Sequence, residues 1–402
     1  MTKRRSKGDG HIGKRPDGLW MAQVNVAPPG APRKRKTVYG KTKAEVRRKL
    51  AEVVEQHKAG NYTTTSMTFG AWLDYWLDNI VDVRPNTKVT YARQCRLYIK
   101  PELGKVRLDR LNLDHPPRLK AALSTHSSGT VQNAHRLAGT AIQAAMERGL
   151  MTQNPFKVIR APKRVKPKRR SLETAELDDL LDLIAGRPDE ARWMLAVTLG
   201  PRQGECLGLT WDRVDFDAMT LDFGWQAQRI PWRHGCPRAT PCKYKRAYRC
   251  PDRQIDAPAD FDYTPIESNI CWVPPKTTAS RRIAPLPLDL LGPLRRRWVE
   301  YLEQRLAPGF KDHGLVFAQP DGSPLDDRED YWTWRALLDE SGIDAIALHA
   351  ARNTAATRLL RQNVNEIVSQ SIMGHSDVRM TQSYQQADLS LARAALDARS
   401  DT

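Results

Sequence analysis

Phe69, Trp72, Leu73, Trp76, Leu77 and Ile80 fall at i, i+3, i+4, i+7, i+8 and i+11. This stripe predicts an amphipathic helix whose aromatics face a core and do not serve as a platform for stacked bases. Pro85 is expected to end that element. A second helix is expected after Thr87, with Tyr91, Cys95, Tyr98 and Ile99 inward until Pro101 and Gly104 stop it. A third follows from Val131, Ala134, Leu137, Ala138, Ala141, Ile142, Ala145 and Met146. Residues 66–156 therefore read as an all-α domain. The N-terminal 1–60 read differently, because Trp20, Ala22, Val24 and Val26 alternate as in a strand after the turn Pro16-Asp17-Gly18. A second short strand is expected at Thr37-Val38-Tyr39. Thr42 and Glu45 then form a capping box that opens a helix with Val46, Leu50, Val53 and Val54 on one stripe. The expectation is a small α+β module.

Beyond 171 the pattern is mixed and mainly helical. Leu177, Leu180, Leu181 and Ile184 mark one helix, and a second spans Trp193 to Leu199. Short strands are expected at Val214–Phe216, Thr220–Phe223, Arg282–Leu286 and Leu315-Val316-Phe317, with a helix carrying Leu290, Leu291, Leu294, Trp298 and Leu302. Between the helical and C-terminal segments, KVIRAPKRVKPKRR (157–170) has two prolines and too few apolar groups to fold alone, so it reads as a basic linker. The chain is thus a three-domain protein, with 171–402 the largest unit.

Charge narrows the partners. Lys and Arg number 64 against 46 Asp and Glu, a formal +18, which favours a polyanion. The basic run Arg33, Lys34, Arg35, Lys36 in the N-terminal module and Lys163, Arg164, Lys166, Lys168, Arg169, Arg170 in the linker are the expected phosphate contacts. The sequence shows no apolar run near the roughly 20 residues of a spanning helix, and its start, MTKRRSKGDGHIGKRPDG, lacks the apolar core of a signal peptide. A soluble cytoplasmic protein with no membrane partner is expected. No Gly-x-x-x-x-Gly-Lys loop or HExxH occurs, so neither nucleotide hydrolysis nor zinc proteolysis is indicated.

The chemistry lies in the C-terminal half. His349, Arg352, His375 and Tyr384 follow one another in LHAARNTAATRLL and IMGHSDVRMTQSY, with Arg202 upstream at the head of PRQGECLGLTW and Lys276 in PKTTASRRIAPLP. Two arginines, two histidines and a late tyrosine suit attack on a phosphodiester by a phenolic oxygen, the phosphate charge being held by guanidinium groups. In this order and with these flanks the chain resembles the tyrosine recombinase (phage integrase) family, in the form that carries an N-terminal arm-binding domain and is typical of actinobacterial elements. YIKPELG and the Asn-Pro at 154–155 extend the likeness into the helical segment. Asn353, where the family usually has histidine after its second arginine, and an insertion at 224–273 depart from the family pattern.

The resemblance implies an arm-site domain (1–60), a helical SAM-like core-site domain (66–156) and a catalytic domain (171–402) with a small antiparallel sheet. It implies Tyr384 as nucleophile and a 3′-phosphotyrosine intermediate. Arg202 and Arg352 would clamp the phosphate, Lys276 would act as acid on the departing 5′ oxygen, and His349 and His375 as acid/base and positioning groups. Glu205 is expected to support the site by orienting the second-box groups or Arg202, with a helix-initiating carboxylate as the alternative. Partners would be double-stranded DNA attachment sites, a tetramer of the chain in the synaptic complex, and an accessory bending or excision factor; no cofactor is expected for catalysis. The alternatives are a chromosome-dimer resolvase or transposon recombinase of the same chemistry, and a non-catalytic DNA-binding regulator on the same fold.

The insertion holds Cys236, Cys242, Cys250 and Cys271, with His234 two residues before the first. Clustered cysteines in a reducing compartment suggest a structural zinc site, although C-x5-C-x7-C-x20-C lacks the paired knuckles of common fingers. A loop with incidental thiols, Cys271 being a buried strand residue, is the alternative.

Overall fold

The computed structural model describes residues 11–25, 35–58, 67–165, 170–237, 242–276, 280–362 and 364–374. The chain forms two compact units, Met1–Lys166 and Pro167–Thr402.

The first unit opens with strands β1 (His11–Lys14), β2 (Trp20–Asn25) and β3 (Arg35–Gly40), which form an antiparallel sheet in the order β1-β2-β3. Helix α1 (Lys43–Lys58) follows. Ala22 of β2 and Val46 and Leu50 of α1 are buried, with Trp20, Val24 and Val38 packed beside them, as the alternation of apolar residues predicts. Thr42 Oγ1 accepts from Glu45 N at 3.2 Å, while the Glu45 carboxylate accepts from Lys41 N at 2.9 Å. The cap therefore forms, but its return bond reaches one residue further back than a capping box would.

The rest of this unit is helical: α2 (Phe69–Asn79), α3 (Pro85–Gln94), α4 (Lys100–Leu103), α5 (His115–Ala122), α6 (Ser128–Glu147) and α7 (Pro155–Val158). Phe69, Trp72, Leu73, Trp76 and Leu77 of α2 are buried against α6, and Trp72 Nε1 donates to Ala141 O at 2.8 Å. Two expectations are corrected. Pro85 starts α3 and does not end α2, because a ring that fixes φ and lacks an N–H is tolerated in the first turn of a helix. Pro101 does not stop the chain either. A regular helix would drive its ring into the carbonyl four residues back; one π turn over Cys95–Ile99, where Lys100 N donates to Cys95 O, makes room and the helix resumes. The first part of the basic linker is held on the helical domain, since Gln132 Nε2 donates to Pro162 O (2.9 Å) and Val165 N to Ser128 Oγ (3.0 Å).

The second unit begins with α8 (Thr174–Ile184), α9 (Glu190–Thr198) and α10 (Gln203–Leu207). Strands β4 (Val214–Asp215), β5 (Thr220–Asp222), β6 (Gln226–Arg229), β7 (Trp232–His234), β8 (Arg253–Ile255), β9 (Thr264–Glu267), β10 (Ile270–Val273) and β11 (Ile283–Pro285) follow. The chain continues through α11 (Leu288–Gln304), α12 (Asp327–Glu340), α13 (His349–Arg361) and α14 (Glu366–Met373). Helix α9 is buried on nearly every side, Arg192 being its buried charge, paired with Asp330. Leu195 and Leu199 enter the cluster of Leu221, Phe223, Leu290, Leu294 and Val316, whereas Trp193, Ala196 and Val197 enter that of Leu180, Ile184, Trp334 and Leu337.

The sheet β11-β5-β4 matches the expected strands. Leu315–Phe317 does not become a strand: only the single bridge Thr210↔Leu315 forms, and the segment is fixed by burying Val316 and Phe317. The insertion is structured where a loop was the alternative. It contains the sheet β6-β10-β9 and the hairpin β7-β8. No described helix is long and apolar enough to cross a membrane.

Candidate active site

Arg202 and Arg352 are 150 positions apart in sequence, and both line one open cleft of about 320 Å³ together with His349, Arg192, Gln203 and Leu348. Arg202 immediately precedes α10 and His349 and Arg352 sit on the first turn of α13, so the cleft is formed where these helix starts meet over α9. Gly200 makes the approach possible. It has φ +59°, and a Cβ there would lie 2.9 Å from Ala355 Cβ and 3.1 Å from Arg352 Cα, so only glycine serves.

Each guanidinium is held by a different device. Arg352 is buried and donates from Nη1 to Gly200 O at 2.6 Å and from Nη2 to Met373 O. Arg202 is half-exposed. It donates from Nη1 to Glu205 Oε1 (2.7 Å) and Ser280 Oγ (3.2 Å), and its backbone N donates to Glu205 Oε2 (2.9 Å). Its Nη2 has no hydrogen bond among the described residues and remains available to an anion.

Glu205 is 1% exposed, and it is shared. Arg282 donates from Nη1 and Nη2 to Glu205 Oε2, both at 3.2 Å. Burial on its own would raise the Glu205 carboxyl, but the charges of Arg282 and Arg202 and the bonds from Arg202 outweigh it and hold the group below the usual carboxylate range. The expected orienting role of Glu205 toward Arg202 thus has a geometric basis. Arg282 was not anticipated. It lies over the Phe223 ring at 4.7 Å and donates from Nε to Ile372 O at 2.7 Å, so it ties Glu205 to the end of α14. Its only sequence signal was the pair Arg281-Arg282 beside Lys276. A second buried pair, Arg192 with Asp330 at 2.8 and 2.9 Å, supports the cleft wall, and Gln203 Nε2 donates to Asp330 Oδ2 at 2.8 Å.

The remaining expected residues are distributed as follows. His349 is exposed. Lys276 is exposed after β10 and is not among the residues lining the cleft. His375 and Tyr384 lie outside the described residues. Asn353 is buried, and its Oδ1 has no hydrogen-bond partner among the described residues. Of the expected phosphate contacts, Arg33, Lys34, Lys166, Lys168 and Arg169 also lie outside the described residues. Arg35 and Lys36 are on β3, Lys163 and Arg164 are exposed, and Arg170 is engaged in an ion pair with Glu176.

The cysteine group is corrected in one member. His234, Cys236, Cys242 and Cys250 have ligand atoms all within 4.8 Å of one another. Cys271 is elsewhere, buried in β10 with Ile230 and Val273, and burial pushes its thiol up to about 11. Alternation along β10 puts it on the apolar face. Cys236 and Cys250 have their sulfurs 3.1 Å apart: the bond to Cys250 pushes Cys236 up to about 12, and the reciprocal bond brings Cys250 down to about 7.

Arg192, Arg202, Arg352 and His349 line one cleft with a buried carboxylate behind Arg202, a concentration of positive charge suited to an anionic group. Comparison with known proteins is consistent. The sequence model of the Phage integrase family matches residues 262–390, and that of the phage integrase N-terminal SAM-like domain matches 68–115. An integrase of Saccharopolyspora erythraea is 32% identical over 399 residues, covering 92% of this chain and 90% of the relative. A XerC-like tyrosine recombinase of Caldanaerobacter subterraneus is 27% identical, covering 86% of each. Among solved structures, the Tn1549 transposon integrase in complex with a circular intermediate DNA superposes with a TM-score of 0.62 at 20% identity, over 83% of this chain and 99% of that one. A lambda integrase tetramer bound to a Holliday junction gives 0.53 at 15% identity, over 95% and 96%. The chain belongs to the phage integrase family and is a tyrosine-type site-specific DNA recombinase.

The Glu205 arrangement has a pH signature. Because its folded carboxyl is held below the unfolded value of about 4.3, its stabilisation is complete above that value and is lost as pH falls through the folded one. Glu205→Gln should therefore lower the denaturation midpoint at pH 7 and flatten the acid-side loss of stability between roughly pH 5 and 3. Midpoints measured across that range check it; equal acid slopes in both proteins would show that the ion pairs do not form.

Proposed function

We propose that the chain integrates and excises a phage or other mobile element, by cleaving and rejoining DNA at attachment sites through a 3′-phosphotyrosine made by Tyr384. The observation that carries this reading is the shared cleft of Arg202, His349 and Arg352. In the first step the Tyr384 oxygen attacks the scissile phosphorus, a P–O bond to tyrosine forms, and the P–O5′ bond breaks. A phenol with an ordinary pKa near 10 is only about 0.1% ionised at pH 7, so the attack needs proton removal and positive surroundings. His349 and His375 supply acid/base and positioning groups, and Lys276 protonates the departing 5′ oxygen. Arg202, whose Nη2 has no hydrogen bond among the described residues, and Arg352 stabilise the non-bridging oxygens as their charge grows. The energy of the broken bond is kept in the phosphotyrosine, and reversal on a new 5′ hydroxyl completes the exchange.

The helical domain and catalytic unit would hold the core site, while the β1–β3 and α1 module would hold an arm site. The N-terminal module and its Arg33–Lys36 run favour this over a chromosome-dimer resolvase. The lambda integrase tetramer on a Holliday junction supports a tetramer in synapsis, and an accessory bending or excision factor would set direction.

A nicked duplex that loses its 5′ product should trap the protein on the 3′ phosphate, and peptide mapping should find the adduct on Tyr384. Tyr384→Phe should bind without trapping. Arg202→Ala and Arg352→Ala should each lose about 3–4 kcal/mol of transition-state stabilisation, some hundredfold or more in cleavage rate, with little loss of affinity. EDTA should leave cleavage intact; strict magnesium dependence, or an adduct in the Phe variant, would overturn the mechanism.

Removing residues 1–60 should abolish recombination between full attachment sites yet spare cleavage of an isolated core site, because joined DNA-binding units gain affinity only where both sites are present. Normal recombination by the truncated protein would remove the arm-site assignment.

A further inference from the structure

The β7-β8 hairpin poses a stability problem. Among the described residues of 232–254 only Cys250 is buried; Arg233, His234, Lys243, Lys245, Arg246, Tyr248 and Arg249 are exposed. Three pairs hold the hairpin, Trp232↔Ile255, Arg233↔Gln254 and His234↔Arg253. A two-stranded hairpin with no apolar face of its own is at best marginally stable in water, and segments of this kind are ordinarily fixed by a crosslink or a metal. The chain nonetheless closes tightly here. A Cβ on Gly235 would stand 2.1 Å from Asp252 O, so the backbone arms on either side of the cysteines cross in contact, and only glycine permits it.

We propose that His234, Cys236, Cys242 and Cys250 bind one structural zinc ion, and that this ion fixes a basic finger that lies on the phosphate backbone of the bound DNA. The four ligand atoms already lie within 4.8 Å of one another. Around a tetrahedral ion with bonds of 2.0–2.3 Å, ligand atoms stand roughly 3.4–3.8 Å apart. The Cys236 and Cys250 sulfurs, at 3.1 Å, need to open by less than about 1 Å to reach that spacing. Three thiolates and an imidazole form a soft donor set that selects zinc over magnesium or calcium. With all four positions taken by protein the site is structural, leaving no place for a reactive water. His234 closes β7, Cys236 and Cys242 follow it, and Cys250 stands three positions before β8, so the ion joins both arms of the hairpin. Cys271, in the neighbouring sheet, is excluded by position.

The second half of the inference rests on the DNA-recombinase reading. Residues 232–254 carry seven Lys and Arg against the single carboxylate of Asp252. Among the described residues no carboxylate pairs with Arg233, Lys243, Lys245, Arg246, Arg249 or Arg253. Aromatic rings support several of them: Lys243 lies over Tyr244 at 5.1 Å, Arg249 over Tyr248 at 5.6 Å and Arg253 over Trp232 at 5.1 Å. Exposed cations that are fixed in place and left without counter-charges match a polyanion whose condensed ions they can replace.

Metal content of the full-length protein, purified under reducing conditions, should be one zinc per chain. Replacement by cobalt should give thiolate charge-transfer and tetrahedral ligand-field bands. Cys242→Ser and Cys250→Ser should lose the metal, whereas Cys271→Ser should keep it. Absence of zinc with all thiols alkylated at the same rate, or a Cys236–Cys250 disulfide found by mass spectrometry, would overturn the metal site. A variant with Lys243, Lys245, Arg246 and Arg249 all changed to alanine should retain zinc, while the slope of log affinity against log salt shrinks by about 3–4. An unchanged slope with zinc present would overturn the DNA contact alone. If the unaltered protein neither bound nor cleaved DNA, the recombinase reading would fail, and the zinc result would stand or fall separately.

Discussion

A single carboxylate, sealed from water between two guanidiniums, organises the catalytic unit. An isolated buried anion would be costly to desolvate; Glu205 is retained as a charge because Arg202 and Arg282 both bind it. The same contacts fix the two arginines. Arg202 binds the carboxylate through Nη1, and its side chain lines the cleft. Arg282 is turned inward, against Glu205, the Phe223 ring and Ile372 O, and so ties the position of Glu205 to the end of α14. Removing one partner would leave buried charge uncompensated, and for this reason the three residues act as a unit.

Arg352 reaches the same end by another route. Its donors go to the carbonyls of Gly200 and Met373, which lie before α10 and at the close of α14. A side chain from α13 thereby measures the distance between two backbone segments remote in sequence. Glycine at 200 lets them approach, and α9, enclosed by apolar contacts on both flanks, supplies the rigid floor. Such preorganisation is what electrostatic stabilisation of a developing charge requires, because fixed donors need not reorient during the reaction.

Helices whose burial is periodic were legible in the sequence, α2, α6 and α8 above all, since spacing alone decides which face is covered. The strands β2, β5 and β11 were legible for the corresponding reason at period two. Proline was misjudged twice, at Pro85 and Pro101, because its effect depends on where in a turn it falls and on whether a π turn relieves it. The segment 315–317 read as a strand and is only a bridge, its apolar residues being needed by the core and not by a ladder. In the site, Arg202, His349 and Arg352 were legible by motif and meet in one cleft, whereas the buried role of Arg282 was not, since two adjacent arginines in so basic a chain do not show which of them faces inward. Cys271 could not be separated from the other cysteines by spacing, because its strand alternation became meaningful only once β10 had a partner sheet.

In the proposed reaction Arg202 and Arg352 act on the negative charge of the non-bridging oxygens. The most direct test replaces one of those oxygens at the scissile phosphate by a neutral methyl group and measures cleavage by the unaltered protein, Arg202→Ala, Arg352→Ala and Tyr384→Phe. The neutral linkage should restore much of the rate lost in each arginine variant and none of that lost in the tyrosine variant. Arginine variants equally defective on charged and neutral linkages would contradict it.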